Sequence, residues 1–361
     1  MSSINQLPND LSPTAIEVAG VWKIFGENWN QALDDIQENG ISKKEVLEKH
    51  NCVVGVVDAS FSVKRGEIFC VMGLSGSGKS TLVRHINRLL EPSAGKITVH
   101  GSDVMGLNDV DLRAFRNEKI AMVFQNFALM PHRSVLDNVA MPLEIRGVSK
   151  NQRMAKAAGA LEMVELTGWG NKFAHELSGG MQQRVGLARA LASDPEILLM
   201  DEPFSALDPL IRRQLQEEFM RLASMMEKTT VFITHDLDEA VRIGDRIAIM
   251  RDGVISQIGV PEEIVMHPED DYVADFVAGI SRLKVVRAHA VMQPLEDYQD
   301  NHPPLPKDAP EFYADDNLSV LIEAAIKSDG PLVVINEDKK RIGAITRADL
   351  LKTIIEGTET S

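Results

Sequence analysis

One stretch constrains the fold of this chain more than any other: residues 73–81, which read Gly-Leu-Ser-Gly-Ser-Gly-Lys-Ser-Thr. An apolar run at 68–72 predicts a buried strand before it, and residues 82–86 predict a helix after it. Strand, glycine loop and helix are the context in which the pattern G-x-x-x-x-G-K-[ST] binds a polyphosphate, through backbone N–H groups and the helix N-terminus. The pattern predicts that Lys79 reaches the β- and γ-phosphates and that the Ser80 hydroxyl ligates Mg²⁺.

The alternative for this loop is a glycine-rich turn that matches the pattern by accident. At ordinary residue frequencies that chance is about one per cent for a chain of this length, and the flanking strand and helix lower it further. The predicted phosphate-binding residues are therefore Gly73, Leu74, Ser75, Gly76, Ser77, Gly78, Lys79, Ser80 and Thr81.

Composition excludes several classes of protein. The 361 residues, 44% apolar and 25% charged, suit one large and one small soluble domain. The net charge of −15 argues against nucleic acid as the main partner, because such binding relies on clustered Lys and Arg. Cys52 and Cys70 make neither a disulfide framework nor a metal set, and buried packing is expected for Cys70. Residues 1–20 lack a signal peptide, and no window reaches the roughly 20 apolar residues of a membrane span, so other chains would supply any spanning part.

Polar residues follow three other apolar runs that predict parallel strands: Gln125, the pair Asp201 and Glu202, and His235. Carboxyl ends of parallel strands share one sheet edge, where ligands bind. Adjacent carboxylates there are costly unless they hold a cation or a proton. Asp201 is therefore predicted to hold the Mg²⁺ of Ser80, Glu202 to activate a water as general base, and His235 to contact the γ-phosphate. The alternatives are a solvated acidic loop, a structural histidine and, at even odds, a Gln125 that merely faces water.

Two further features are ambiguous from the residues alone. Ser178, Gly179 and Gly180 precede an amphipathic run at 185–191 and form a second candidate anion site, although such a motif is more often a cap and turn. Phe25, at the end of the first predicted strand, is either an aromatic that packs in the core or at the strand end, or a platform on which an adenine stacks. Its position alone favours packing.

Elsewhere the pattern alternates between strands and helices, with a capping box predicted at Ser42. Helices are predicted over 28–50, 108–117, 134–167 (ending at Gly168) and 212–226, strands over 16–25, 55–63, 95–99, 120–124, 197–200 and 230–234, and a closing hairpin over 245–259.

In chain order, several of these features together resemble an ABC-transporter ATPase. The Walker A, Q-loop, signature, Walker B, D-loop and H-loop motifs correspond to 73–81, Gln125, 177–182, Asp201 with Glu202, 205–208 and His235. The resemblance covers about residues 15–265. It implies an α/β P-loop NTPase cassette with a RecA-like core, an antiparallel β subdomain and a helical signature subdomain at 126–190.

The resemblance also implies a cofactor set and an assembly. ATP would bind with Mg²⁺, and Phe25 would stack on the adenine. Gln125 would ligate and sense the Mg²⁺, beside Ser80 and Asp201, and would contact a membrane subunit. Two copies would pair head to tail as a homodimer. Each ATP would then lie between the phosphate loop of one copy and the signature residues of the other, with the D-loop residue Asp208 among the ATP-binding residues.

Within that family the chain is similar to the ATPases of importers for quaternary amines such as glycine betaine, proline betaine and choline. The similarity lies in the helical insertion at 28–50 and in residues 56–60, 73–78 and 126–132. It implies transmembrane permeases and a periplasmic or lipid-anchored solute-binding protein as partners, no nucleic acid, and a peripheral place on the cytoplasmic face of the inner membrane. Because the solute never touches this subunit, trimethylamine N-oxide and carnitine stay open. A soluble ABC ATPase acting on DNA or ribosomes and a nucleotide-sensing module are the other classes considered.

The C-terminal part is predicted to be a separate small α/β domain, residues 281–361, after a disordered segment 1–14 and an ATPase domain 15–280. Residues 297–310 read as an exposed linker or loop because of their prolines. Strands at 331–335 and 342–345 and a helix at 350–355 are predicted after it. This part resembles a CBS motif, in which Thr346 and Asp349 would meet a nucleotide ribose. The alternative is a plain α/β packing module without a ligand. There is length for about one motif where a full unit pairs two, and two copies in a dimer could restore the pair.

Overall fold

A computed structural model describes residues 13–125, 127–328 and 330–355, and contacts divide the chain after Ile255 into two units. This boundary falls earlier than the predicted one near residue 280. Of the predicted disordered segment 1–14, residues 1–12 lie outside the described residues, and Thr14 already belongs to a strand. No helix in the described ranges combines the length and the apolar character that a membrane span requires.

The first unit is an α/β fold. Its strands are β1 (Thr14–Phe25), β2 (Val53–Lys64), β3 (Ile68–Met72), β4 (Ala94–Val99), β5 (Ser102–Asp103), β6 (Ile120–Val123), β7 (Ile197–Asp201), β8 (Thr229–Thr234), β9 (Arg246–Arg251) and β10 (Val254–Gly259), within which the division falls. Its helices are α1 (Trp29–Asn39), α2 (Lys43–His50), α3 (Lys79–Ile86), α4 (Asp109–Glu118), α5 (Val135–Ile145), α6 (Lys150–Met163), α7 (Gly179–Ala192), α8 (Pro209–Met225) and α9 (Leu237–Ile243), with a 3₁₀ turn at Ala174–Glu176.

The central sheet of this unit has the strand order β10-β9-β3-β8-β7-β6. The pairs β3/β8, β3/β9, β7/β8 and β6/β7 are parallel, so the carboxyl ends of these strands share one edge. Both faces of the sheet are covered, which is why its strands read as continuous apolar runs. Cys70, in β3, is fully buried as predicted, and both cysteines are free.

A second sheet, in the order β2-β1-β4-β5, carries the helical insertion. Helices α1 and α2 pack on it through an apolar cluster of Trp22, Ile24, Ala32, Leu33, Val46, Cys52 and Val54. The capping box predicted at Ser42 is present: its side chain accepts from the Glu45 N–H, and the Glu45 carboxylate accepts from the Ser42 N–H. The insertion is therefore an ordered part of this unit.

Two helix boundaries predicted from the sequence are wrong. Helix α8 begins at Pro209 rather than near 212, because the Asp208 side chain caps it and proline suits the first helical turn. Helix α6 ends at Met163, well before the predicted stop at Gly168. Glu165 has a φ of 59°, which is incompatible with a continuing helix.

The second unit contains a small mixed sheet. Its elements are α10 (Pro261–Met266), α11 (Asp271–Val277), α12 (Arg282–Val285), α13 (Ala288–Val291), β11 (Gln293–Pro294), α14 (Leu295–Asn301), β12 (Glu311–Tyr313), α15 (Leu318–Lys327), β13 (Leu332–Ile335), β14 (Arg341–Ile345) and α16 (Arg347–Ile355). The sheet order is β11-β14-β13-β12, with only β12/β13 parallel among the described pairs. The prediction of an exposed linker over 297–310 is wrong for residues 297–301. Residues there belong to α14, and Tyr298 is 4% exposed and stacks on His302.

Candidate functional site

The phosphate loop connects β3 to α3 in the order that the sequence predicts. Two of its glycines are required by close backbone approach. A Cβ on Gly73 would lie 2.1 Å from the Met250 carbonyl oxygen, and one on Gly78 would lie 2.4 Å from that of Gly55. Both also have positive φ, at 153° and 99°. Leu74, Ser75 and Gly76 form the exposed tip of the loop. The loop therefore needs glycine where it turns against the neighbouring strands.

The loop fits a phosphate-bearing ligand. Ser77 is buried, and its Oγ has no hydrogen-bond partner among the described residues. A buried hydroxyl without a partner is costly, so the loop contains a polar group that a ligand oxygen could satisfy. Helix α3 begins at Lys79, directly after the loop, with Thr81 in its first turn. The backbone N–H groups at the start of α3, which have no partner within the helix, therefore lie next to the loop.

Lys79 folds back over the loop. Its Nζ donates to the carbonyl oxygens of Gly73 at 2.8 Å and Leu74 at 2.9 Å, and lies 3.9 Å from Glu202 Oε1. The side chain is only 4% exposed. Burial lowers the pKa of the Lys79 ammonium, while the carboxylates of Glu202 and Asp201 act in the opposite direction. A buried cation is thus held at the mouth of the loop.

Ser80 and Asp201 meet across the junction between α3 and β7. Ser80 Oγ donates to Asp201 Oδ1 at 2.7 Å, while Arg84 donates to Asp201 Oδ2 at 3.0 Å. A hydroxyl and a carboxylate oxygen are suitable Mg²⁺ ligands, and phosphate oxygens usually complete such sites. The donor set therefore fits the predicted metal. Gln125, predicted as a third ligand, has its described contacts with Glu202 and Ser205 instead.

Glu202 is the centre of the site. Its carboxylate lies 3.0 Å from His235 Nδ1 and 3.4 Å from Gln125 Nε2, in addition to the Lys79 contact. Its backbone has a φ of 46°, and its N–H donates to the Ile233 carbonyl at 3.1 Å. A non-glycine residue with positive φ is strained, and such strain often occurs at functional sites. The backbone turn immediately after β7 thus brings this carboxylate into contact with three side chains, those of Lys79, Gln125 and His235.

Three residues that support the site were not predicted as site residues. Arg84 binds the second oxygen of Asp201. Ser205 accepts from Gln125 at 3.2 Å and donates to the Glu202 carbonyl at 3.1 Å. Arg212 donates to the Ser205 and Leu207 carbonyls and pairs with Asp236 at 3.3 Å. Only Ser205 lies inside a motif, and no local pattern marks the two arginines.

Four residues predicted to bind ATP have no described contact with Glu202: Ser178, Gly179 and Gly180 of the signature motif and Asp208 of the D-loop. Ser178 caps α7 by accepting from the Met181 N–H at 3.3 Å, and Asp208 caps α8. A Cβ on Gly179 would lie 3.7 Å from Leu207, and one on Gly180 would lie 2.6 Å from Ile211. The amino ends of α7 and α8 are thus neighbours of each other.

Phe25 lies at the end of β1 with 39% of its surface exposed. The Lys23 ammonium lies 5.1 Å from the ring centroid. A Cβ on Gly55 would come within 2.8 Å of the ring, and the Gly55 carbonyl is the group that faces Gly78. The ring therefore packs beside Gly55 at the end of a strand with part of its surface exposed, so packing and adenine stacking both stay open as interpretations.

In the second unit, Thr346 and Asp349 bond to each other. The Thr346 N–H and hydroxyl donate to Asp349 Oδ2 at 2.8 and 2.6 Å, and the Asp349 N–H donates back to Thr346 Oγ1 at 3.2 Å. Gln293 Nε2 donates to both Asp349 oxygens at 3.0 Å. These contacts form a capping box at the start of α16.

A parallel sheet, a glycine loop leading into a helix, and a lysine, a hydroxyl–carboxylate pair and a glutamate at one edge define a P-loop nucleotide hydrolase. Comparison with known proteins narrows this class. The protein family described as ABC transporter matches residues 56–205.

Two relatives and one solved structure agree with that match. The glycine betaine transport ATP-binding protein OpuAA of Bacillus subtilis (strain 168) is 47% identical over 95% of this chain and 79% of its own length. The trimethylamine N-oxide transport system ATP-binding protein TmoW of Pelagibacter ubique (strain HTCC1062) is 42% identical over 95% and 98%. A dimeric ATP-binding cassette, solved in a post-hydrolysis state with ADP and Pi, aligns with a TM-score of 0.58 and 31% identity over 68% of this chain and 98% of its own. This chain belongs to the family of ABC-transporter ATP-binding subunits, which are ATP-hydrolysing transport ATPases.

Proposed function

We propose that the chain powers uptake of a small quaternary or methylated amine of the glycine betaine type by hydrolysing ATP beneath a membrane permease. The observation that carries the hydrolytic part is the convergence of Lys79, Gln125 and His235 on the Glu202 carboxylate, beside the Ser80–Asp201 pair. Phosphoryl transfer needs mainly positioning and charge neutralisation, and these groups supply both.

Each residue has a distinct proposed role. The loop amides and Lys79 hold the β- and γ-phosphates, and Phe25 stacks on the adenine. Glu202 orients and deprotonates the attacking water, with His235 fixing the carboxylate and contacting the γ-phosphate. Mg²⁺, when bound by Ser80 and Asp201 with help from Gln125, would neutralise phosphate charge.

We propose that a second copy completes the site. Ser178 caps α7, and Gly179 and Gly180 pack beside Leu207 and Ile211 around the start of α8 in their own chain. The amino end of α7 would then be the surface that meets a partner's nucleotide. The related solved cassette is dimeric. Binding of ATP would close two copies head to tail, and hydrolysis would open them again. Asp208 would lie at this junction through its place at the start of α8.

The proposed membrane partner is a permease that docks beside Gln125, on the cytoplasmic face of the inner membrane, together with a solute-binding protein. A cleft of about 370 Å³ lies close to this residue, lined by apolar side chains that include Met122, Phe124, Met130 and Ile145. Met130 and Ile145 are exposed. Co-purification with a membrane protein supports this role, whereas co-purification with ribosomes or DNA would favour a soluble ABC ATPase.

The amine class rests on the relatives, one of which is named for glycine betaine and the other for trimethylamine N-oxide. The experiment is uptake of labelled glycine betaine by cells that lack other betaine transport and express this chain with its permease and solute-binding protein. We expect uptake that unlabelled betaines compete and that Glu202→Gln abolishes. If unlabelled trimethylamine N-oxide competes more strongly than unlabelled glycine betaine, trimethylamine N-oxide is the preferred solute. Uptake that is independent of Glu202 would reject the proposal.

We propose a regulatory role for the second unit. This role is supported by β13, β14 and α16, because these two strands and the helix after them lie where the resemblance to a CBS motif predicted them. Thr346 and Asp349 are the candidate nucleotide contacts, and binding there would compete with their mutual bonds. The test compares ATP hydrolysis by the full chain and by a chain lacking 281–361 over a range of ionic strength and with an adenine dinucleotide. Loss of a response on truncation supports regulation, and identical responses reject it.

A further inference from the structure

The helical insertion carries none of the residues assigned to the ATP site. The first residue of its second helix nevertheless binds a turn that lies beside that site. Helix α2 begins at Lys43, one residue after the Ser42 cap. The Lys43 Nζ donates to the backbone carbonyl of Asp252, 209 residues further along the chain. The ammonium also lies 3.2 Å from where a Cβ on Gly253 would be. The first residue of the insertion's second helix thus binds the turn between β9 and β10.

The Asp252–Gly253 turn is in direct contact with the phosphate loop. The Gly253 N–H donates to the Ser77 carbonyl at 2.9 Å, and the Gly253 carbonyl accepts from the Val57 N–H at 2.8 Å. Asp252 and Gly253 both have positive φ, at 47° and 79°. Positive φ at both positions is typical of the tight two-residue hairpin turns that Asp-Gly favours, so this turn holds the two strands and the loop in a fixed relation.

The same turn leaves no room for adjustment beside the loop. A Cβ on Gly253 would lie 2.8 Å from the Gly55 carbonyl oxygen, and a Cβ on Gly78 would lie 3.5 Å from the Gly253 Cα. Just before the turn, the Met250 carbonyl excludes a side chain at Gly73. A shift of the turn would therefore move the backbone that sets the loop's amide directions.

We propose that Lys43 is a positioning residue for the ATP site, which holds the Asp252 carbonyl so that the Gly253 N–H fixes the phosphate loop at Ser77. The inference deepens the proposed function, because it concerns the same ATP site. It gives the insertion a role beyond packing: it is the outer support of the nucleotide-binding loop. Lys43 acts through the turn and touches no phosphate.

The test uses the full-length chain and two pairs of variants. Lys43→Ala removes the ammonium, and Lys43→Met removes it while keeping the length of the side chain. Lys43→Arg keeps a donor that can reach the carbonyl. Lys44→Ala is the matched control, because Lys44 is the next residue on α2, its side chain is 85% exposed, and it lies 3.9 Å from Glu48.

The readouts are the Kd for a fluorescent ATP analogue, the KM and kcat for ATP, and the thermal unfolding midpoint. We expect Lys43→Ala and Lys43→Met to raise Kd and KM about three- to tenfold, as loss of one charge-assisted hydrogen bond predicts, with kcat changed less than twofold. Lys43→Arg and Lys44→Ala should match the wild type. A role in fold stability alone would lower the unfolding midpoint without changing Kd, and that result overturns the inference.

A phosphate-loop variant separates this inference from the proposed function. If Lys79→Ala weakens nucleotide binding while Lys43→Ala binds as Lys44→Ala does, the ATP site stands and the role of Lys43 is rejected. If Lys79→Ala binds as tightly as the wild type, the ATP site itself is misassigned. A matching loss for Lys43→Ala and Lys43→Met, with recovery in Lys43→Arg, supports the inference.

Discussion

At the residue scale, Glu202 carries the largest number of functional constraints. Its positive φ and its N–H bond to Ile233 aim one carboxylate at Lys79, Gln125 and His235. Strain of this kind persists only where surrounding contacts hold it. Here the Ser205 hydroxyl binds the Glu202 carbonyl from the following turn. The catalytic proposal therefore depends on a backbone conformation as well as on a side chain.

We predict that Glu202→Gln lowers the steady-state rate of ATP hydrolysis by at least about 100-fold, because an amide cannot accept a proton from water. ATP binding should be retained, since Lys79 and the loop are unchanged. The measurement is phosphate release together with a nucleotide titration. Glu162→Gln, on the exposed surface of α6, is the control and should behave as the wild type. Robust turnover by the Glu202 variant would contradict the assignment.

Arg189 is a second residue whose role appears only in three dimensions. It lies on α7, is buried, and donates to the carbonyls of Ala128 at 2.6 Å and Phe127 at 3.0 Å. Both of those residues have positive φ, at 47° and 34°. They come two and three residues after Gln125, so the signature helix holds the backbone that follows the Q-loop glutamine.

We predict that Arg189→Ala destabilises the protein by about 1–3 kcal/mol, because it removes two charge-assisted hydrogen bonds from a buried guanidinium to partly buried carbonyls. It should also reduce ATP hydrolysis more than ATP binding, since Gln125 loses its fixed position beside Glu202 while the phosphate loop is intact. Arg189→Lys, which retains one donor group, should be intermediate. Urea unfolding and a comparison of kcat with nucleotide Kd measure both effects. Equal losses of binding and turnover would reject a role through Gln125.

At the element scale, the carboxylate of Asp35 joins the two helices of the α1–α2 insertion. Asp35 accepts from Lys49 and lies 2.7 Å from His50 Nε2, and it also accepts from Asn39 at 2.9 Å. Hydrogen bonds from Lys49 and then His50 lower the pKa of Asp35 from 3.8 to about 2. The two helices are thus tied together by polar contacts above the apolar cluster that packs them on the sheet.

This depressed pKa predicts the pH dependence of Asp35→Asn. A carboxyl whose pKa is lower in the folded state stabilises the fold above its unfolded pKa, and this contribution is lost as the pH falls through the folded pKa. The unfolding midpoint of wild type should exceed that of Asp35→Asn at pH 7 and pH 5, and the gap should narrow between about pH 4 and pH 2. The neighbouring exposed Asp34→Asn is the control. A gap that is constant with pH would contradict the prediction.

At the scale of the whole molecule, the ATP site of one chain is predicted to be completed by a partner's signature motif. Gly179 is the better position to test this. A Cβ there would make ordinary contact with Leu207 at 3.7 Å, whereas at Gly180 it would clash with Ile211 at 2.6 Å. Gly179→Asp should therefore fold and bind ATP while presenting a negative charge to the partner's phosphates.

We predict that the Glu202→Gln chain doubles its mass from 39.8 kDa when ATP and Mg²⁺ are added, because ATP is bound but not hydrolysed. Adding Gly179→Asp should abolish this dimerisation and leave the nucleotide Kd of the monomer unchanged. Size-exclusion chromatography with light scattering provides the measurement. Dimerisation that is independent of ATP, or that survives Gly179→Asp, would argue against a head-to-tail nucleotide sandwich.

The helix ends and caps show why some predictions from the sequence are correct and others are wrong. The Ser42 capping box is predicted correctly because its signal spans only the four residues from Ser42 to Glu45. The start of α8 was placed too late although Asp208 and Pro209 form a cap and first turn that sequence can show. Helix α14 was read as part of a linker because prolines follow it, whereas burial of Tyr298 stabilises it. That burial depends on residues far away in the chain.

Local signals in the sequence are sufficient to predict the fold class and the candidate residues of the site. The loop pattern at 73–81, the continuous apolar strands and the polar residues at their ends are local signals, and parallel pairing brings such strand ends to one edge. Only the tertiary structure decided which side chains meet there. Three such contacts join distant parts of the chain. Arg189 binds Ala128, 61 positions away, Arg84 binds Asp201, 117 positions away, and Lys43 binds Asp252, 209 positions away. Such contacts follow from packing of distant elements, which a one-dimensional pattern does not encode.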